Sequence, residues 1–130
     1  MLTPSRDRGA AAVEFALVLP ILLLLVIGIL EFGRAYHVQT TLSNAARDGV
    51  RVMALQDSVA AATSATRLSA QPLDLSGSTI VVTPTAGCSS ALTGAGLASV
   101  TIEYPFSLVS GFLPIDDLTL TGKGTMRCFG

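Results

Sequence analysis

From Ala10 to Leu30 the chain runs 21 residues with a single charged side chain, Glu14. As an α-helix that run is about 31 Å long, enough to cross the hydrocarbon core of a bilayer. Glu14 sits about one turn in, ~6 Å from the start of the run and nearer the interface than the midplane. Its insertion cost then falls below the roughly 2.5–3.5 kcal/mol of a charge at a helix centre, so the segment still inserts. An ionisable residue kept in such a segment is by default a functional one.

Whatever else the chain builds must hang from that helix. The 130 residues suffice for one modest domain beyond it. Half of them are apolar, but the apolar content is concentrated before residue 31, as expected of one membrane segment and not of an oily globule. A secretory signal peptide fits poorly. The acid lies inside the apolar core, the core exceeds the ~7–15 residues expected, and no small-residue cleavage site follows it. The net charge of −1 leaves no basic stripe for nucleic acid.

Within the run, Pro20 removes the helix hydrogen bond to the carbonyl of Ala16, a kink that membrane helices tolerate or a weak point that lets the helix stretch in a packed fibre. Gly28 and Gly33 are too far apart for a small-xxx-small dimer motif. Past the membrane the helix continues. Val38, Leu42, Ala45, Ala46, Gly49 and Met53 share one face, while His37, Thr40, Asn44, Arg47, Asp48 and Arg51 lie on the other. Small residues dominate the apolar face, so another element can approach closely. Asp48 is spaced to reach Arg51, and Asn44 to reach Arg47 or Asp48.

The run from Leu55 to Ser58 predicts a break, with Asp57 or Ser58 as the N-cap of a second, alanine-rich helix that reaches about Ala70 and stops before Pro72. Composition then turns to Thr, Ser, Val and Gly. Thr79–Thr83, Leu97–Tyr104 and Leu118–Arg127 read as short strands, with loops at Pro84–Gly96 and Pro105–Asp117. The predicted class is α+β: a long N-terminal helix, transmembrane then amphipathic, a short second helix, and a small antiparallel sheet packed on the helical spine. The expected divisions are a leader at 1–9, a transmembrane helix at 10–30, its soluble extension at 31–55 and a small domain at 56–130.

Cys88 and Cys128 pair if this second half lies in an oxidising compartment and stay thiols if it lies in the cytosol. Paired, they close a loop of about 40 residues, worth roughly 4 kcal/mol in the chain-entropy model.

No constellation for catalysis stands out. His37 is the only histidine and has no Cys, His or carboxylate at ligand spacing, so no metal or cofactor is expected. Asp116-Asp117 after Pro114 reads as a solvated turn, since a calcium site needs more oxygen ligands. Gly122-Lys123-Gly124-Thr125 fails the phosphate-loop pattern: Asp117 stands where the first glycine belongs, and Gly follows the lysine. The expectation is a protein that acts by packing, not an enzyme.

Two motifs carry a family resemblance. Arg8-Gly9, small residues, then Val13-Glu14-Phe15-Ala16-Leu17 resembles a class III, type IV-like prepilin N-terminus. Asn44-Ala45-Ala46-Arg47-Asp48-Gly49-Val50-Arg51 resembles the second recurring motif of the TadE-like pseudopilins of tight-adherence (Flp-type) pilus systems. Together they span roughly the first 55 residues. The resemblance implies cleavage by a prepilin peptidase between Gly9 and Ala10, leaving Glu14 and Phe15 as the fifth and sixth residues of the mature chain. It implies Glu14 as an alignment device whose buried carboxylate pairs with the new amine of Ala10. Pro20, Asn44, Arg47, Asp48, Gly49 and Arg51 are its candidate packing and assembly positions. The implied partners are other pilins or pseudopilins, the peptidase, an inner-membrane pilus platform and the lipid bilayer. A TadF-like sister pseudopilin shares that mechanism, whereas an unprocessed signal-anchored envelope protein with a partner-binding domain does not. Counting Arg6 and Arg8 against Arg34 and Arg47 does not orient the helix. The prepilin resemblance does, placing the N-terminus in the cytoplasm and the domain in the periplasm.

Overall fold

The computed structural model describes residues 6–91, 96–109, 111 and 117–129. The order is a helix α1 (Arg6–Gln56), a helix α2 (Val59–Ser69), a strand β1 (Thr79–Thr83), a 3-10 turn at Cys88–Ala91, and strands β2 (Leu97–Phe106) and β3 (Leu118–Arg127). The expected α+β class, long first helix, short second helix and antiparallel sheet are all present. The chain divides into two compact units, residues 1–34 and 35–130.

In the first unit α1 runs through Pro20 without a break. Glu31 and Arg34 form an ion pair at 3.3 Å just past the apolar run.

In the second unit the sheet has the order β1-β2-β3, both pairings antiparallel. Alternation along β2 sets its core face. Ala98, Val100, Ile102 and Phe106 are buried, while Leu97, Glu103 and Pro105 are exposed, as a period of two requires. The α1 residues Val38, Leu42, Ala45, Ala46, Val50 and Met53 join that face in one core. Leu42, Ala45, Ala46 and Met53 have no exposed surface.

One local outcome differs from expectation. Pro105, expected to open a loop, lies inside β2 opposite Thr119 of β3. A central strand normally rejects proline because its missing N–H breaks the ladder. Here β1 begins at Thr79 opposite Glu103, so β2 has no β1 partner at Pro105 and is locally an edge. The helix break falls where expected, and of the two candidate caps the second is used. Ser58 is the N-cap of α2, its hydroxyl accepting from the Ala61 N–H at 3.3 Å. Asp57 instead ends α1 with φ +50° and donates its N–H to the Met53 carbonyl at 3.0 Å.

Candidate assembly surface

The apolar face of the first unit has no protein cover. From Val13 to Phe32 the large apolar side chains other than half-buried Ile27 are exposed, with Phe15 at 62% and Leu17 at 70%. This helix is long and apolar enough to cross a membrane, and none of its most apolar window is buried in the chain's own fold. Each such side chain left in water forgoes about 1.5–3 kcal/mol of burial. The helix is therefore a candidate membrane anchor. Ala10 and Glu14 are exposed on the same stretch. Gly9 is exposed too, and nothing stands within 4 Å of where its side chain would begin. Because α1 starts at Arg6, the Gly9–Ala10 bond lies inside the helix, not ahead of it.

The second motif divides its residues between the fold and the surface. Ala45, Ala46, Gly49 and Val50 face the core. Gly49 is where α2 comes closest. A Cβ there would overlap the Thr66 hydroxyl and stand 3.2 Å from the Ala62 carbonyl oxygen. Thr66 is wholly buried and satisfies its hydroxyl by donating to Ala62 O at 2.8 Å. Asp48 accepts from the hydroxyl of Ser69 at the end of α2. Sequence spacing paired Asp48 with Arg51; the fold gives it a tether to α2 instead, because α2 brings a donor to the carboxylate. Asn44, Arg47 and Arg51 are left exposed, with no side-chain hydrogen bond or ion pair among the described residues.

The Gly122-Lys123-Gly124 run has a structural use that its sequence did not suggest. A Cβ on Gly122 would meet the Leu42 backbone at 2.6 Å, and one on Gly124 would meet the Ala46 carbonyl oxygen at 2.6 Å. Strand backbone thus lies directly on helix backbone, and the Gln39 side chain donates to the Thr121 carbonyl at 2.7 Å. Glycine at alternate strand positions, both on one face, is the pattern that points to such an approach.

At the far end of α1 the chain is fastened to itself. Cys88 and Cys128 form a disulfide across 40 residues. The Asp57 carboxylate accepts from the Cys88 N–H and, at 3.2 Å, from the Ser89 N–H. Phe129 donates its N–H to the Ala54 carbonyl at 3.3 Å, and Cys128 to Gly96 at 2.7 Å. Among the described residues no group of three or more His, Cys, Asp or Glu is arranged to hold a metal ion. Asp116, half of the acidic pair noted above, lies outside the described residues.

The search of curated proteins found no match, and neither did the search of solved structures. Residues 9–51 match the model of the family described as TadE-like protein. The matched segment opens at Gly9 and closes at Arg51, so it contains both the exposed apolar helix and the motif that splits between core and surface. Over that first third the chain is similar to the TadE-like family, which belongs to tight-adherence pilus systems.

Proposed function

We propose that this protein is a minor pseudopilin of a tight-adherence pilus system. It is inserted in the bacterial inner membrane with residues 1–9 in the cytoplasm and its α+β unit in the periplasm. A prepilin peptidase cuts between Gly9 and Ala10. The mature chain then helps initiate assembly or joins the fibre, acting by helix packing and not by catalysis. The observation that carries this reading is the TadE-like match beginning at Gly9, on a helix whose apolar surface the fold leaves uncovered.

In this reading each part has a task. Since Gly9 and Ala10 sit within α1, a protease must first open the helix there. Glycine weakens a helix by about 1 kcal/mol relative to alanine, which eases that opening, and it presents no side chain to the enzyme. After cleavage the α-amine of Ala10 lies one turn from Glu14. Once the helix is surrounded by apolar neighbours, the carboxylate needs a positive partner, and a subunit out of register cannot supply one. Beyond the membrane Arg47 and Arg51 are the exposed cations offered to assembly partners, including other pilins and the inner-membrane platform.

The deciding experiment co-expresses the full chain with its prepilin peptidase and reads the mature N-terminus by mass spectrometry. An N-terminus at Ala10, lost when Gly9 is replaced by a bulky residue, is the expected result. A chain that keeps Met1 beside an active peptidase would overturn the proposal. Glu14→Ala should still insert and still be cut, yet fail to support piliation; normal fibres from that variant would end the alignment role.

A further inference from the structure

Three chain segments distant in sequence meet at the end of α1. The 3-10 turn contributes Cys88, Cys128 follows β3 directly, and Asp57 follows the last residue of α1. Cys88 has no exposed surface. Its backbone N–H and that of Ser89 are bound by the Asp57 carboxylate, and Asp57 is held at φ +50° with its own N–H on Met53. Gly87, immediately before, has φ +95°, and a Cβ there would stand 2.7 Å from Asp57 Oδ1. The turn can therefore lie against the carboxylate because residue 87 is glycine. On the other side of the disulfide, Phe129 takes φ +57° and donates to Ala54. A bulky residue in the left-handed region needs the surrounding structure to hold it there.

We infer that Asp57 and the Cys88–Cys128 disulfide form a redox-conditional clasp that locks the 3-10 turn and the end of β3 onto the last turn of α1, and that opens locally when reduced. The division of contacts supports a local response. The sheet keeps ten register pairs between β2 and β3, and most of the core against α1 is built from residues other than the two cysteines, although Cys88 is buried in it and Cys128 packs on it. Besides the core packing of the two cysteines, the segments carrying residues 87–89 and 128–129 are tied to the end of α1 by the Asp57 and Phe129 hydrogen bonds described above. Asp57 also acts on the chemistry, since by fixing the Cys88 backbone it raises the effective concentration of one sulfur at the other.

Closure is thiol–disulfide exchange with an external disulfide. One cysteine thiolate attacks that disulfide, expelling one of its sulfurs as thiolate and forming a mixed disulfide. The second cysteine thiolate attacks the first cysteine's sulfur and expels the other thiolate. The chain loses two electrons and two protons, and the external disulfide becomes a dithiol. With the orientation proposed above, the clasp closes only after export and stays open in a reducing cytosol. That last step rests on the proposed topology; the measurements below do not.

The test uses the full chain in detergent micelles, oxidised and reduced, with amide hydrogen exchange as readout. Reduction should speed exchange at Cys88, Ser89, Cys128 and Phe129 about tenfold or more while leaving Val100 and Ile102 unchanged. The Cys88→Ser/Cys128→Ser variant should exchange like the reduced chain and ignore reductant. Asp57→Gly keeps the left-handed backbone available and removes only the carboxylate. In a glutathione redox buffer, with thiols counted by alkylation and mass, it should shift the dithiol–disulfide equilibrium roughly tenfold toward the dithiol, the scale of one charge-assisted hydrogen bond. Unchanged exchange at the four amides on reduction would overturn the clasp, as would equal acceleration at Val100 and Ile102, which marks a global staple. An unshifted equilibrium in Asp57→Gly would overturn the part assigned to Asp57. An unprocessed chain that passes these tests would refute the pseudopilin reading and leave the clasp standing.

Discussion

Replacing Gly124 by alanine tests the contact on which the second unit is built. The new Cβ would stand 2.6 Å from the Ala46 carbonyl oxygen, 2.8 Å from its carbonyl carbon and 2.9 Å from the Arg47 nitrogen. All three are helix backbone, so no rotamer change relieves the overlap. Either β3 lifts from α1 or the helix gives way, by roughly half an ångström or more. A gap of 0.5–1 Å forfeits about a quarter to a half of the dispersion energy of the atoms it separates. Overpacking of this kind costs typically about 1–3 kcal/mol. Against it, alanine restricts the unfolded chain, a gain of about 0.4–1 kcal/mol where the native backbone accepts it. The net expectation is a loss of roughly 1–2 kcal/mol, or on the order of 4–8 °C per kcal/mol for a unit of this size. The assay is urea or thermal unfolding of the oxidised full chain in micelles, followed by near-ultraviolet circular dichroism. Tyr104, half-buried on β2, reports the sheet. Gly77→Ala is the control, since nothing lies within 4 Å of its Cβ position. If Gly124→Ala proves as stable as Gly77→Ala, the backbone-on-backbone contact is refuted.

Gly49→Ala should destabilise by about 1–3 kcal/mol through its overlap with Thr66, and adding Thr66→Ala should recover part of that loss in a double-mutant cycle. Asp74 lies in the second unit, where the Ser76 backbone N–H and then the Ser76 hydroxyl hold its carboxyl below the usual aspartate range. Its folded value is depressed, so its contribution is present above the unfolded value of about 3.9 and is lost as pH falls through the lowered one. A carboxyl-detected NMR titration should show Asp74 in Ser76→Ala moving back up toward the ordinary value; an unmoved titration would count against this cause. Arg47→Ala with Arg51→Ala should leave unfolding within about 0.5 kcal/mol of the parent, as surface substitutions do, yet reduce piliation. Full piliation in that variant would remove the cations from the proposed assembly surface.

The long helix and its division into an uncovered apolar part and a core-facing part were legible in the chain, because both depend on local sequence pattern. An uninterrupted apolar run and a 3.6-residue repeat of Val38, Leu42, Ala45, Ala46, Gly49 and Met53 need no distant partner to be read. The strands were legible for the same reason, although Pro105 was misplaced by a rule that assumes both neighbours of a central strand continue. What sequence could not supply was the identity of partners brought together by folding. Asp48 had Arg51 at helical spacing, but tertiary structure delivered the hydroxyl of Ser69. Gly122 and Gly124 were legible only as part of a strand; that α1 backbone lies against them is a tertiary fact. The cysteines left their pairing conditional on compartment, and nothing local linked Asp57 to Cys88, 31 residues away. The sequence by itself determined the helix, its acid at Glu14 and the exposed face of its second motif, since these follow from spacing along one element. Only the tertiary structure decided which small residues are close contacts and where the chain is clasped, because both depend on backbone approaching backbone across long stretches of sequence.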